Sequence, residues 1–265
     1  MKVQFVSDVH CEFHNDHGVR WASELPIEGD VLILAGDITT YVSTTKVCTI
    51  LAERFPYVIY VCGNHEYYRS NRGDIHNKLM KLQSQHSNFF WLNNRIVELE
   101  GQRFVGSTLW WDAPPVAMLS IRAALNDFHT IQGYKKWVNK ENHIAKLFLE
   151  ETVQEGDVVI THHAPTWQAC PQKSLGWGYV QQADLDFDWA YYNDLDPIME
   201  SKKPRLWIFG HTHDRFSKQV FDTAVANCPH GYARAGKART DLYATVDLSQ
   251  SPLEVLFKGE YVNRN

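Results

Sequence analysis

The sequence lacks the cysteine pattern of a disulfide-stabilised protein. Its 265 residues include five cysteines, an odd number, and none of them forms a Cys-x-x-Cys pair. Scattered and unpaired cysteines are typical of proteins from a reducing compartment. The pattern therefore argues against a disulfide framework.

Long apolar runs are also missing. No run approaches the ~20 consecutive apolar residues that a membrane-spanning helix needs. The N-terminus begins directly with a predicted strand and shows neither the basic nor the apolar region of a signal peptide. We therefore expect a cytoplasmic protein with no membrane partner, and the sequence makes no prediction about its oligomeric state.

The chain has no excess of positive charge. It contains 26 Lys and Arg residues against 31 Asp and Glu residues, which gives a formal net charge of −5. Proteins that bind nucleic acid usually present a basic face. Nucleic acid is therefore not the expected partner, although a local basic patch is compatible with a negative total.

Nothing in the sequence marks a domain boundary, because it contains no repeat, no low-complexity tract and no linker. A chain of this length can form one large core. We predict a single domain over residues 1–265, with insertions near residues 111–140 and 167–204. At least three strands are predicted in the tail, around Lys218–Val225, Leu242–Leu248 and Leu253–Phe257.

Short apolar runs are abundant, and five of them end in polar residues. Runs of this kind predict strands that are covered on both faces, which indicates an α/β fold. Open α/β sheets bind their ligands at the carboxyl ends of the strands. In chain order the five strand ends carry Asp8 and His10, Gly36-Asp37, Gly63-Asn64-His65-Glu66, His162-His163 and Gly210-His211-Thr212-His213.

These strand ends carry the ligands of a metal site. Oxygen and imidazole ligands suit divalent Mn, Fe, Zn, Ni or Co. Each motif has a plainer interpretation by itself, as surface polarity, a turn or buried histidines, but five of them at five strand ends favour a metal site. Their number exceeds the needs of one ion and fits two, and two ions ~3.5–4 Å apart can clamp a phosphoryl group. The candidate ligands are Asp8, His10, Asp37, Asn64, His162, His211 and His213.

This series of motifs resembles the calcineurin-like metallophosphoesterases, and its Gly210-His211-Thr212-His213 resembles the bacterial and phage-type phosphohydrolase branch. The resemblance implies a four-layer α/β sandwich, in which two mixed β-sheets flanked by helices place a dinuclear metal site at the strand carboxyl ends. Manganese is the ion expected first, with Fe, Zn, Ni, Co or Mg as alternatives. The implied ligands are Asp8, His10, Asp37 and His213 for one ion, and Asp37, Asn64, His162 and His211 for the other, with Asp37 bridging.

The same resemblance implies a metal-dependent hydrolase of phosphoric esters. In the mechanism that it implies, a hydroxide held by the two ions would attack phosphorus, and His65 would protonate the leaving oxygen or stabilise the transition state. Thr40 stands where protein Ser/Thr phosphatases carry the Asp that pairs with this histidine, so no partner of His65 is predicted. The family pattern favours His162 over His163 as the ligand, and the sequence leaves that choice open.

The substrate is less well defined, and a small-molecule or nucleotide phosphomonoester or phosphodiester is expected. Arg69 and Arg215 are the predicted substrate-binding cations, because they lie closest to the motifs. The aromatic residues of the two insertions could stack a nucleobase or form a small hydrophobic cluster under long loops. Two alternative functions remain: a nuclease acting on DNA or RNA, and a non-catalytic scaffold that retains the fold.

Overall fold

The computed structural model describes residues 1–169, 187–233 and 239–260. Its strands are β1 (Lys2–Val6), β2 (Val31–Ala35), β3 (Tyr57–Val61), β4 (Phe89–Trp91), β5 (Arg95–Leu99), β6 (Gln102–Ser107), β7 (Val158–Thr161), β8 (Leu206–Phe209), β9 (Phe216–Val220), β10 (Thr223–Asn227), β11 (Tyr243–Asp247) and β12 (Leu256–Lys258). Its helices are α1 (Val19–Glu24), α2 (Thr44–Arg54), α3 (Arg72–Gln85), α4 (Met118–Ala124), α5 (Asp127–Thr130), α6 (Val138–Thr152) and α7 (Asp196–Lys202).

The described strands form two mixed sheets of six. The first has the order β12-β11-β1-β2-β3-β4, in which β1 to β4 run parallel and the β11 and β12 pairings are antiparallel. The second has the order β5-β6-β7-β8-β10-β9, with β6, β7, β8 and β10 parallel and an antiparallel strand at each edge. Parallel neighbours end at the same edge of a sheet, so this topology gathers the polar strand ends.

Alternating side chains of the central strands pack in different layers. In β2, Ile33 packs between the two sheets, whereas Leu32 and Leu34 pack on the outer face, in the cluster that includes helices α1 to α3. In β7, Ile160 faces the space between the sheets and Val159 packs in the cluster that includes α6 and α7. Because both faces are covered, these strands are predominantly apolar. The predicted α/β sandwich, with two mixed sheets flanked by helices, is confirmed.

One strand prediction in the tail is wrong. The sequence around Lys218–Val225 forms a hairpin of β9 and β10 instead of one strand. The chain reverses at Phe221, which adopts a left-handed φ of 51°. A turn of this kind usually contains Gly, Asn or Asp at the left-handed position, and an apolar Phe there conceals it. Among the helices that the structure describes, none has the length and apolarity to cross a membrane.

Candidate metal centre

The ends of five parallel strands meet at one edge, and three groups of possible metal ligands form there. They come from β1, β2 and β3 of the first sheet and from β7 and β8 of the second. In each group the ligand atoms lie within 4.8 Å of one another. The groups are Asp8, His10 and His213; Asp37, His162 and His211; and His10, Asp37 and His65.

The backbone at these strand ends is strained. Left-handed φ angles are uncommon for residues other than glycine and cluster at functional sites, where surrounding structure holds them. Five of the seven predicted ligands adopt such angles, namely Asp8, His10, Asp37, His211 and His213, with φ between 50° and 70°. The ligand atoms of these residues lie close together in the ligand groups.

Two glycines make room for the second ligand group. Gly63 has no left-handed φ, but a Cβ atom there would overlap the Asp37 carboxylate and the His162 ring. Gly36 combines a φ of 84° with a position at which a Cβ would overlap His162. Both positions therefore require glycine because the ligands approach the backbone closely.

In the first group, two histidine nitrogens face each other. Nε2 of His10 lies 2.9 Å from Nε2 of His213, and the latter is 3.5 Å from Oδ1 of Asp8. Nδ1 of His10 is 3.3 Å from a Glu12 oxygen, so this nitrogen carries the proton and Nε2 is bare. The two facing nitrogens need a cation or a proton between them, and the donor set fits a divalent ion.

In the second group, the orientation of His162 is set by a backbone carbonyl. Nδ1 of His162 donates to the Ala35 oxygen at 3.0 Å, which leaves Nε2 near Oδ1 of Asn64 (3.2 Å) and Oδ1 of Asp37 (3.5 Å). Nε2 of His211 is buried and makes no hydrogen bond within the described parts of the chain. An unsatisfied buried imidazole nitrogen beside a carboxylate also fits a metal ligand.

His163 lies outside these groups. Its ring is fully buried, and neither of its nitrogens has a hydrogen-bond partner among the residues that the structure describes. It packs between Trp110 and His211, with ring centroids 5.6 and 4.2 Å away. Of the two candidates left open by the sequence, the structure brings His162 to the ligand groups and packs His163 behind them.

The Asn64 amide is oriented by the insertion. Its Nδ2 donates to Oδ1 of Asp127 at 2.8 Å and to the hydroxyl of Tyr68 at 3.2 Å. Because an ionised carboxylate only accepts hydrogen bonds, the amide nitrogen must face Asp127 and the amide oxygen must face His162. Asp127 is fully buried on α5 and also accepts from the Tyr68 hydroxyl. The sequence prediction did not include it.

Glu66 holds the two loops that carry Asp37 and Asn64. Its buried carboxylate accepts from the backbone N–H groups of Asp37, Ile38, Thr39 and Gly63, and from the Tyr60 hydroxyl, at 2.7 to 3.3 Å. Five donors around one carboxylate define the shape of the turns after β2 and β3. Glu66 therefore supports the metal centre without belonging to a ligand group.

The predicted catalytic residue His65 has a partner that the sequence did not indicate. Its Nδ1 lies 2.7 Å from Oε1 of Glu12, and its ring stacks on Tyr68 at 4.1 Å. Burial lowers the pKa of His65, but the carboxylates of Asp37 and Glu12 outweigh it and raise the pKa to about 9. The only feature of the sequence that could have indicated this partner is the position of Glu12, two residues after the predicted ligand His10.

The electrostatics of the second group centre on Asp37. Burial raises the pKa of this carboxyl, but the His162 and His65 imidazoles outweigh it and hold the pKa well below its usual range. Burial lowers the pKa of His162, and the attraction of Asp37 raises it to about 9. His211 is buried beside His162, and its pKa falls to about 3. An ionised buried carboxylate surrounded by imidazoles suits a bound cation.

The two predicted substrate-binding cations lie in different settings. Arg69 is exposed, and its backbone N–H donates to the Thr130 oxygen. The Arg215 guanidinium lies over the Phe257 ring and near the carbonyl oxygens of Lys258 and Gly259. These contacts give neither arginine a position in the ligand groups.

The aromatic residues of the first insertion are buried. Trp110, Trp111 and Tyr134 are each 3% exposed or less. The rings of Trp110 and Tyr134 pack edge to face, and Nε1 of Trp111 donates a hydrogen bond to the Tyr134 hydroxyl. This region forms a hydrophobic cluster, as in the second of the two interpretations. Residues 170–186 of the second insertion lie outside the described residues. Exposed rings at the metal centre come from elsewhere.

Those exposed rings are Phe13 and Tyr232, which we call the aromatic rim. Their side chains are 48% and 53% exposed and their ring centroids lie 5.2 Å apart. The Tyr232 ring is 4.6 Å from that of His10 and 4.9 Å from that of His213. The rim therefore borders the first ligand group.

An α/β sandwich with Asp, Asn and His residues clustered at its strand ends is the architecture of metal-binding phosphoesterases. The model of the calcineurin-like phosphoesterase family matches residues 1–215. The chain belongs to this family.

Individual relatives are distant. An uncharacterized protein of Acanthamoeba polyphaga mimivirus is 26% identical over 279 aligned residues, which cover 94% of this chain and 97% of that protein. The phosphopantetheinyl hydrolase of Mycobacterium tuberculosis has a similar structure, with a TM-score of 0.66, 17% identity and coverage of 87% and 89% of the two chains. A dimetal phosphatase from Danio rerio gives a TM-score of 0.53 with 12% identity over 98% and 96% of the chains. The structural similarities show a shared fold.

Proposed function

We propose that the protein is a dinuclear metal-dependent hydrolase of small phosphoric esters. The observation that carries this proposal is the convergence of Asp8, His10 and His213 with Asp37, His162 and His211, in two adjacent groups of possible ligands. Membership in the calcineurin-like phosphoesterase family supports the reaction class.

Each ion would be held by one group, with Asp37 between them and Asn64 completing the second set. Two bound divalent ions would supply Lewis acidity to the phosphoryl oxygens and lower the pKa of a water molecule between them. Manganese is proposed first, because the donor set combines imidazole nitrogens with carboxylate oxygens.

The chain's own residues would handle the leaving group. His65 lies beside these two ligand groups and forms the third group with His10 and Asp37, with its Nε2 3.9 Å from Oδ2 of Asp37. A protonated imidazole at this position can donate to the leaving ester oxygen, as a general acid. The aromatic rim of Phe13 and Tyr232 lies beside the first ligand group and can contact a flat group of the ester.

A small ester is favoured over a nucleic acid. The chain carries a net charge of −5, and a nuclease needs basic residues along the path of the phosphate backbone. The scaffold alternative is disfavoured because all seven predicted ligands are present and six of them lie in the ligand groups.

The test combines metal analysis with a substrate panel. Purified protein loaded with manganese is assayed against phosphomonoesters, linear diesters and cyclic diesters, and bound metal is measured by mass spectrometry. We expect two ions per chain and turnover of at least one ester. Asp37→Ala should lose both ions and activity, whereas the control Asp222→Ala, which removes an exposed carboxylate paired with Lys203, should retain both. Two bound ions without turnover of any ester would refute the proposal in favour of a scaffold.

A further inference from the structure

Within the described parts of the chain, Glu12 is the residue whose side chain hydrogen-bonds the His65 imidazole. Oε1 of Glu12 lies 2.7 Å from Nδ1 of His65 and 3.3 Å from Nδ1 of His10. An ionised carboxylate only accepts hydrogen bonds, so Nδ1 of His65 carries the proton of this contact. The opposite nitrogen, Nε2, then lies 3.9 Å from Oδ2 of Asp37. The shorter of the two contacts is the one to His65.

The local backbone explains why Glu12 reaches this position. His10 adopts a left-handed φ of 50°, and a single helical turn, Cys11–Phe13, follows it. The turn directs the fully buried Cys11 into the hydrophobic core and returns Glu12 toward the metal centre. The Glu12 side chain is only 15% exposed, and its second oxygen is buried. The carboxylate therefore has little freedom to leave the imidazole.

The loop after β2, which supplies the partner of this histidine in protein Ser/Thr phosphatases, does not supply the partner of His65. Thr40 occupies the position at which protein Ser/Thr phosphatases carry an Asp. Its backbone oxygen accepts from the Thr44 hydroxyl at 3.0 Å, at the start of α2. The partner of His65 is thus supplied from the loop after β1 instead of the loop after β2.

We propose that Glu12 is the positioning residue of His65: its carboxylate accepts the Nδ1–H of the His65 ring and thereby aims the opposite nitrogen, Nε2, at the leaving group. This inference rests on the proposed function for the role of His65, although the geometric part of it does not depend on turnover. Carboxylates that orient histidines in metal sites act in this way, and their removal typically changes activity by about 10–100-fold.

The experiment is a double-mutant cycle with Glu12→Gln and His65→Ala. The glutamine keeps the size of the side chain but replaces one carboxylate oxygen with an amide. We expect Glu12→Gln to lower kcat by about 10–100-fold with KM nearly unchanged, and His65→Ala to lower kcat by roughly 10²–10⁴-fold. The double variant should be no slower than His65→Ala alone, because Glu12 acts through His65. A purely structural role would make the two effects multiply, and that result would overturn the proposal.

A second readout does not require turnover. Nitrogen NMR of histidine-labelled, metal-free protein reports the hydrogen bond made by the Nδ1–H of His65, and His65→Ala assigns the signal. Wild-type protein should show a strongly hydrogen-bonded Nδ1–H at His65, and Glu12→Gln should shift this signal, because an amide oxygen is a weaker acceptor than a carboxylate. An unchanged Nδ1–H signal in the variant would contradict the proposal even if no substrate is found, and so separates this inference from the proposed function.

Controls separate positioning from folding and metal loss. Glu28→Gln changes a half-buried carboxylate that accepts from Tyr243 and pairs with Lys2 at the opposite end of β1, and it should leave kcat and the His65 signal unchanged. Glu12→Gln should retain its melting temperature and both ions. If Glu12→Gln does not fold, Glu12→Asp, which withdraws the carboxylate by one methylene, should show the same loss of kcat. Loss of the ions in a folded Glu12→Gln would show that Glu12 supports His10 instead of His65 and would overturn the proposal.

Discussion

Nδ1 of His162 donates to the carbonyl oxygen of Ala35 at a distance of 3.0 Å. This hydrogen bond links β7 of the second sheet to the end of β2 in the first, and it determines which ring nitrogen is available to bind. The strand end that carries Asp37 therefore also orients the histidine that faces it. The adjacent His163 has no such bond among the described residues.

Separate substitutions of His162 and His163 test which of the two histidines binds a metal ion. His162→Ala should remove the ion held by the second ligand group and abolish activity, because its Nε2 faces Asp37 and Asn64. His163→Phe should retain both ions, because its ring fills space between Trp110 and His211. Metal content measured by mass spectrometry distinguishes the variants. Loss of one ion in His163→Phe, with two retained in His162→Ala, would reverse the assignment.

Glu66 should matter for stability as well as activity. Replacement by Ala leaves five hydrogen-bond donors without their acceptor. Buried unsatisfied donors cost about 1–3 kcal/mol each, and relaxation will recover part of this. We expect Glu66→Ala to lower the free energy of unfolding by about 3–5 kcal/mol, measured by urea denaturation. Glu98→Gln, at an exposed position on β5, is the control, and an equal effect of both would contradict the role of Glu66.

Asp127 should affect metal affinity at the second ligand group. Asp127→Ala removes the acceptor that orients the Asn64 amide, so Asn64 can rotate its oxygen away from His162. Loss of such an orienting group typically weakens metal binding by about 10–100-fold. Titration of metal-free protein with manganese measures the change. Asp112→Ala, in the same insertion but 59% exposed, should leave both affinities as in the wild type.

Tyr232 should select esters with a flat aromatic group. Phenylphosphonate and methylphosphonate carry the same charge and differ only in the ring, so the ratio of their inhibition constants isolates the ring contact. Stacking on an aromatic side chain contributes about 1–3 kcal/mol, and we expect phenylphosphonate to bind at least about 5-fold tighter.

The preference should be lost in Tyr232→Ala. Phe221→Ala removes an equally exposed ring at the β9–β10 turn and should leave the ratio unchanged. Equal inhibition by the two phosphonates in wild-type protein would exclude an aromatic contact at the rim.

His76 should make the stability depend on pH below neutrality. Burial, with the neighbouring Arg72, lowers its pKa from 6.5 to about 4, and its Nε2 lies 3.1 Å from the Tyr67 hydroxyl. Because the folded pKa is depressed, the unfolded chain binds the proton first, and stability is lost as the pH falls from 6.5 toward 4. His76→Gln should flatten this dependence of the melting temperature, whereas His143→Gln, at an exposed position, should not. Identical slopes in all three proteins would refute the contribution of His76.

Most of the candidate metal ligands could be predicted from the sequence. Strands buried on both faces are predominantly apolar, so the polar residue that follows each run is conspicuous, as at Asp37 and His211. Parallel neighbours end at one edge, so the residues after β1, β2, β3, β7 and β8 are expected to meet. The ligand candidates and the α/β sandwich follow from these two regularities.

Other contacts depend on parts of the chain that approach only in three dimensions. Glu12 meets His65, 53 residues away, and Asn64 meets Asp127, 63 residues away, and no local period connects them. The choice of His162 over His163 depends on a carbonyl in the other sheet. The pattern of apolar and polar residues along the chain thus determines which residues end the strands, because buried strands require apolar side chains. Only the tertiary structure decides the partner and direction of each side chain, because these depend on which backbone turns and loops come together at the sheet edge.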